Sequence, residues 1–198
     1  LNAARRRELP DACRDLSALL TTERDGLERP YWTSPRLTSA YLRYFLPWNL
    51  VRLTALLPGL PLTAPATRPS GAEENGTATA GANDEFLIFD LGSGPCTFPL
   101  ALWLARPDLR RLPVTVVASD SAPHPLDLGR RIFDALRAEL DPASPWTLRT
   151  LRAPLHAAPR LLRGRPRLIT LGNVLNELEE RGRRGGSVRG RLAALLDD

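Results

Sequence analysis

The residues best suited to binding a ligand lie in one short stretch, Asp90-Leu91-Gly92-Ser93-Gly94-Pro95. The apolar run Phe86-Leu87-Ile88-Phe89 precedes it and is typical of a buried strand. The Gly-Ser-Gly turn lets a ligand approach the backbone closely, because glycine has no side chain. Apolar residues at helical spacing follow from Phe98 to Ala105. Strand, glycine turn and helix predict the first half of a Rossmann-type unit; a purely structural turn is the alternative.

A second acidic residue, Asp120, follows the predicted strand Val114–Ser119 and stands 26 residues after Gly94. An acid at the tip of the second strand can accept hydrogen bonds from both ribose hydroxyls of a bound adenosine. A role in capping the helix near Pro125 is the alternative interpretation.

A third candidate, Asn173, follows the last predicted strand, Arg167–Leu171. Ligands bind at the carboxyl edge of parallel α/β sheets, so this position should lie beside the glycine turn. An Asn side chain can both donate and accept a hydrogen bond. We expect Asn173 to face a cofactor and substrate, with helix capping as the alternative.

Two further elements complete the predicted sheet domain, which covers residues 85–198. Residues Trp146–Leu151 alternate as an edge strand should. A helix is predicted over Leu126–Leu140, with its apolar residues on one face. The chain therefore has an α/β fold with four recognisable strands.

An all-α cap is predicted for residues 1–58. A flexible linker is predicted for residues 59–84, because this segment is rich in Pro, Gly, Thr and Ala and poor in large apolar residues. Cap helices are expected from about Pro10 to Arg24, from Pro35 to about Phe45 and from Trp48 to Leu57, with a break at Pro47.

Aromatic residues are concentrated in the cap, since six of the chain's 12 lie between Tyr31 and Trp48. Their helical spacing predicts core packing between the cap and the sheet. A lid over a ligand cleft, or a stacking surface for bases, is the functional alternative.

The charged residues of the chain indicate the kind of partner that it could bind. All 27 basic residues are Arg, and the net charge is +5. From Arg149 to Arg191 there are 11 Arg and three Glu, a net charge of +8, which suggests a polyanion partner such as RNA. Solvated Arg faces would give the same pattern.

Two Cys and two His argue against a metal site. No apolar run approaches the roughly 18 residues of a membrane span, and the expected compartment is the cytoplasm.

The stretch from Asp90 to Cys96 resembles the first motif of class I S-adenosylmethionine-dependent methyltransferases, acid-x-Gly-x-Gly-x-Gly. The resemblance implies a Rossmann-like three-layer sandwich whose glycine loop passes under the methionine part of S-adenosyl-L-methionine, with the acid holding the loop and the ammonium group. The third glycine position holds Cys96, whose side chain is expected to crowd the cofactor. The implied cofactor-binding residues are Asp90, Gly92, Ser93, Gly94, Pro95, Asp120, Ser121 and Asn173.

Within that superfamily, the chain resembles the methyltransferase-like family associated with the small ribosomal subunit. The likeness rests on Tyr41–Trp48, on the glycine loop and on Val174–Leu178. It implies a methyltransferase with ribosomal RNA as the expected acceptor. The alternative is a catalytically inactive RNA- or ribosome-binding assembly factor, favoured by Cys96 and by Arg152-Ala153-Pro154, which stands where the superfamily often has an acid. A nucleotide-dependent oxidoreductase is a third interpretation, against which Asp90 argues.

The resemblance also implies a sheet of seven strands in the order 3-2-1-4-5-7-6, of which only the first four can be recognised. These would lie side by side as 3-2-1-4. The fourth strand has the apolar composition of a buried centre, so we expect further strands beyond Asp198 or a neighbouring chain to cover its edge. The fold is therefore expected to be truncated after strand four.

Overall fold

The computed structural model describes residues 6–21, 31–62 and 86–172. Four parallel strands form one sheet in the order β3-β2-β1-β4. Their bounds are β1 Phe86–Leu91, β2 Val114–Asp120, β3 Thr147–Arg152 and β4 Leu168–Leu171. The helices are α1 Leu9–Thr21, α2 Pro35–Ala40, α3 Leu46–Leu56, α4 Thr97–Ala105, α5 Pro123–Leu140 and the one-turn α6 Ala158–Leu161. The predicted α/β class and strand order are confirmed, and the arrangement is Rossmann-like.

The central strand β1 explains why the sheet forms where it does. All six of its residues are buried, because it pairs with β2 on one side and β4 on the other. Its alternate side chains enter two separate cores. Phe86 and Ile88 pack with α4, α5 and the cap, whereas Leu87, Phe89 and Leu91 pack against the β3–β4 connection. Apolar residues on both faces are what a buried parallel strand requires.

The cap shares the first of these cores. Leu16 of α1, Trp32 and Tyr41 are buried in the same cluster as Leu100 and Trp103 of α4. The predicted cap helix over Pro10–Arg24 is present as Leu9–Thr21.

The predicted helix break at Pro47 is wrong. Residues Tyr41–Phe45 form a π-helical turn between α2 and α3, in which the Leu46 N–H donates to the Tyr41 carbonyl five residues earlier. Pro47 then falls in the first turn of α3, directly after the π-helical turn. The helix therefore continues from α2 through the π-helical turn into α3 without a break. The π-helical turn has more residues per turn than an α-helix, so it changes which aromatic side chains face inward.

The sheet edges differ slightly from the sequence prediction. Trp146 precedes β3 instead of beginning it; its ring is buried and its Nε1 donates to the Leu109 carbonyl at 2.8 Å. Strand β4 begins at Leu168, and its four residues are half-buried. Within the part of the chain that the structure describes, β4 pairs only with β1. The expectation of further strands stays a prediction.

Several sequence predictions fall outside the described residues, namely most of the linker, Asn173 and the basic segment after Gly172. Across 6–21, 31–62 and 86–172, no helix has the length and apolar character needed to cross a bilayer.

Candidate functional site

The glycine loop between β1 and α4 has an unusual backbone. Gly92, Gly94 and Cys96 have φ angles of 69°, 52° and 56°, all in the left-handed region. Glycine adopts this conformation freely, but a residue with a Cβ is strained there by roughly 1–2 kcal/mol. The third position of the loop therefore keeps the backbone of a glycine although the residue is cysteine, and its carbonyl accepts the first bond of α4 from Leu100 N at 3.0 Å.

Cys96 does not crowd the open side of the loop, contrary to expectation. Its side chain is fully buried with Ala118 and Leu126, between β2 and α5. A Cβ placed on Gly94 would meet no atom within 4 Å, so the space above that glycine is open. Burial, and then the nearby charge of Asp90, raise the pKa of the Cys96 thiol to about 12. The residue is an uncharged packing group.

Asp90 stabilises the loop from its buried side. Its carboxylate is buried and accepts hydrogen bonds from the Ser93 hydroxyl and, at 2.6 Å, from the Thr170 hydroxyl of β4. Burial raises the pKa of Asp90 to about 6, with the charge of Asp120 adding to the rise and the two hydroxyls opposing it. Thr170 was not predicted from the sequence, because only the pairing of β4 with β1 brings it opposite Asp90.

The raised pKa predicts a specific pH dependence. The folded protein retains a proton on Asp90 that the unfolded chain releases near its ordinary pKa of 3.8. This stabilisation is complete below about pH 4 and is lost as the pH rises through 6, a change of about 3 kcal/mol for two pKa units. We expect the free energy of unfolding of the wild type, relative to Asp90→Asn, to fall by that amount between pH 4 and pH 7 in urea titrations. A difference that does not vary with pH would contradict the assignment.

Asp120 connects the tip of β2 to the same loop. Its Oδ2 accepts from the Gly94 N–H at 2.9 Å, and its Oδ1 accepts from the Ala122 N–H at 2.9 Å. The second bond shapes the turn before α5, but it is not a helix cap, because the N-cap residue is Ala122 and no side chain caps the helix. A carboxylate has about four acceptor positions, so both oxygens retain capacity for a ligand. The side chain is half-buried, which leaves part of it accessible.

The loop's backbone donors are largely used within the protein. Ser93 N–H donates to the Ser119 carbonyl at 2.9 Å, Gly94 N–H to Asp120, and Cys96 N–H to the Ser93 carbonyl at 3.1 Å. A phosphate needs free N–H donors and a positive potential. This loop instead has a buried acid, Asp90, behind it and a partly accessible acid, Asp120, beside it, and three of its N–H groups are occupied. That arrangement suits a ligand that carries hydroxyl donors and positive charge.

One further polar group lies at this edge without a partner. The Ser119 hydroxyl oxygen is buried and makes no hydrogen bond within the described part of the chain. Leaving such a group unsatisfied costs about 1–3 kcal/mol. Ser119 precedes Asp120 at the end of β2, so its hydroxyl is a further polar group next to the loop.

Gly129, in the interior of α5, allows the loop to lie where it does. A Cβ on this residue would lie 2.4 Å from both the carbonyl carbon and oxygen of Pro95, and 2.8 Å from the Cys96 Cβ. A glycine within a helical pattern usually has a packing reason, so the sequence signal for this residue is a glycine inside the helix predicted over Leu126–Leu140.

The cap supplies one more residue near the loop, Tyr41 of the π-helical turn. Burial raises the pKa of its phenol most, and side-chain hydrogen bonds with Thr97 and Asn49 lower it. Thr97 is the first residue of α4, directly after the loop. The cap therefore reaches the rim of the candidate site, a contact across more than 50 residues that periodicity could not reveal.

The structure thus brings most of the predicted site residues to one edge of the sheet. Asp90, Ser93 and Pro95 are buried, Gly92, Gly94 and Asp120 are half-buried, and Ser121 is exposed beside Asp120. Asn173 lies outside the described residues. Whether any of them binds a cofactor stays a prediction. Among the described residues no group of three or more His, Cys, Asp or Glu is arranged to hold a metal ion.

Comparison of this chain with protein-family models, with curated proteins and with solved structures finds no match.

Proposed function

We propose that this protein binds S-adenosyl-L-methionine at the glycine loop and transfers its methyl group to RNA. The observation that carries the proposal is the acceptor-rich character of the loop, in which three alternate residues are left-handed and which Asp90 and Asp120 contact. A dinucleotide needs loop N–H groups for its pyrophosphate. The cofactor proposed here instead offers two ribose hydroxyls, an ammonium group and a sulfonium.

The residues present fit such a ligand. Asp120 has acceptor capacity for the ribose hydroxyls, and the open space above Gly94 admits the ligand close to the backbone. Asp90 acts through the loop, since its oxygens are engaged by Ser93 and Thr170. The cofactor would supply a methyl group on a good leaving group, so the protein mainly has to align the acceptor. That requirement is consistent with the described residues of the site, among which no acid–base pair is evident.

RNA as the acceptor is supported by charge. Residues 142–172 contain six Arg and no Asp or Glu. All six are exposed, and they lie along β3 and the connection to β4. This surface belongs to the Arg149–Arg191 segment predicted to contact RNA, whose remainder lies after the last described residue. Ribosomal RNA, and hence the small ribosomal subunit, is the expected partner.

Calorimetric titration with S-adenosyl-L-methionine, S-adenosylhomocysteine and NAD tests the proposal. We expect binding of the first two and none of NAD, because the N–H groups of Ser93, Gly94 and Cys96 are occupied within the protein. Binding of NAD alone, or of none of the three, would overturn it.

A second candidate is a methyltransferase-like RNA-binding assembly factor without catalytic activity. It is favoured by the tip of β3, where Arg152 pairs with Asp120 in register and Ala153 N–H donates to the Asp120 carbonyl at 2.9 Å. No acid follows β3 there to contact an adenine amine. Cofactor binding without methyl transfer to ribosomal RNA would favour this candidate.

A further inference from the structure

The outer face of the cap carries aromatic side chains where core packing was expected. Tyr44 and Trp48 are 56% and 57% exposed, and Val51, one turn further along α3, is 63% exposed. The prediction that the aromatic cluster forms core is correct for Trp32 and Tyr41 but wrong for Tyr44 and Trp48. Exposed apolar side chains that form one stripe mark interaction surfaces.

The π-helical turn produces this division. It directs Tyr41 inward, where the ring lies 4.7 Å from that of Trp32, and leaves Tyr44 outward. The rings remain in contact across the turn, with Tyr41–Phe45 at 6.0 Å and Phe45–Tyr44 at 5.2 Å. Tyr41 lies at the rim of the candidate site. Phe45 contacts both Tyr41 and Tyr44, so it connects that rim to the first residue of the exposed stripe.

The charged residues of the segment 31–62 are all basic. Arg43 and Arg52 are exposed beside the stripe, and residues 31–62 contain no Asp or Glu. The ion pairs of the described residues include Arg36 with Asp15 but neither Arg43 nor Arg52. Aromatic rings beside arginines that pair with no acid among the described residues suit a ligand with flat π-faces and a negatively charged backbone.

We propose that Tyr44 and Trp48, flanked by Arg43 and Arg52, form a platform on which the bases of single-stranded RNA stack. This inference rests on the proposed function, since it assigns the expected RNA partner a surface beside the cofactor site. An anionic membrane would also meet apolar and basic groups here. RNA is favoured because the stripe leads to the site rim, and because the sheet domain carries a second acid-free basic segment, residues 142–172.

Tryptophan fluorescence tests the platform directly. Trp32, Trp103 and Trp146 are buried, so Trp48 is the exposed one of the chain's four tryptophans. Titration with oligouridine at low salt is expected to quench the Trp48 emission, and the affinity should fall steeply as salt rises. Trp48→Phe should abolish the quench but retain affinity for labelled oligouridine. Trp48→Ala should weaken that affinity about 5- to 150-fold, the range for one stacked base.

Leu140→Ala is the matched control, because Leu140 is a similarly exposed apolar residue on α5; its affinity should equal that of the wild type. Absence of a quench, or equal affinity for Trp48→Ala and the wild type, would overturn the platform. A blue shift with anionic phosphatidylserine vesicles and no response to oligouridine would identify a membrane surface instead. Calorimetry of Trp48→Ala with S-adenosyl-L-methionine distinguishes a failure of the platform from a failure of the proposed function. The platform takes no part in cofactor binding, so the affinity of this variant for the cofactor should equal that of the wild type.

Discussion

Replacing Asp120 by alanine is expected to weaken the binding of S-adenosyl-L-methionine by about 30- to 1,000-fold, the equivalent of 2–4 kcal/mol for lost charge-assisted hydrogen bonds. The structure gives this loss two sources. Alanine removes the acceptors proposed for the ribose hydroxyls. It also frees the Gly94 and Ala122 N–H groups, so that the glycine loop loses one of its hydrogen bonds to the end of β2 and retains the one from Ser93 N–H to the Ser119 carbonyl.

Two further variants separate these sources. Asp120→Asn retains one oxygen that can accept from Gly94, so it should bind the cofactor with an affinity between those of the wild type and the alanine variant. Asp127→Ala removes an exposed acid of α5 with the same change in charge, and should leave the dissociation constant unchanged. A dissociation constant for Asp120→Ala equal to that of the wild type would remove Asp120 from the site.

Gly129→Ala is expected to destabilise the protein by about 1–3 kcal/mol, the usual cost of overpacking. Helix propensity alone predicts the opposite sign, since alanine is favoured over glycine within a helix by about 1 kcal/mol. Packing should prevail because the new Cβ would lie 2.4 Å from backbone atoms of Pro95, which cannot rotate away. The displaced loop should also bind the cofactor less tightly.

Urea unfolding at neutral pH measures this effect. Gly59→Ala is the matched control, because a Cβ there meets nothing within 4 Å and no strain is expected. An alanine at position 129 that leaves the stability equal or raises it would show that the contact between α5 and the loop is looser than described.

Local pattern was sufficient for the elements of the sheet. The apolar run of β1, the β-branched run of β2 and the alternation of β3 each identify a strand within one or two residues of its observed bounds. Such patterns succeed because the side-chain period of a strand and the burial of a parallel sheet are recorded in neighbouring residues. The order of the four strands followed from the resemblance around the glycine motif and is confirmed.

Local pattern failed at the cap. Proline at position 47 ordinarily ends a helix, but packing of Trp32 and Tyr41 against the sheet core stabilises a π-helical turn that accommodates it. The same turn decides which aromatic residues are core and which are exposed. Helical spacing could not separate them, because the turn changes the period within the cluster itself.

The sequence by itself determined the glycine loop, the two acids at the strand tips and the basic character of residues 142–172, since each depends on residues close together in the chain. The tertiary structure alone decided how they are used. Thr170 meets Asp90 only because β4 pairs with β1, and α5 leaves room for the buried Cys96 side chain because position 129 has no Cβ. These contacts join residues between 30 and 80 positions apart, and burial, which sets their energies, exists only once the sheet and helices have packed.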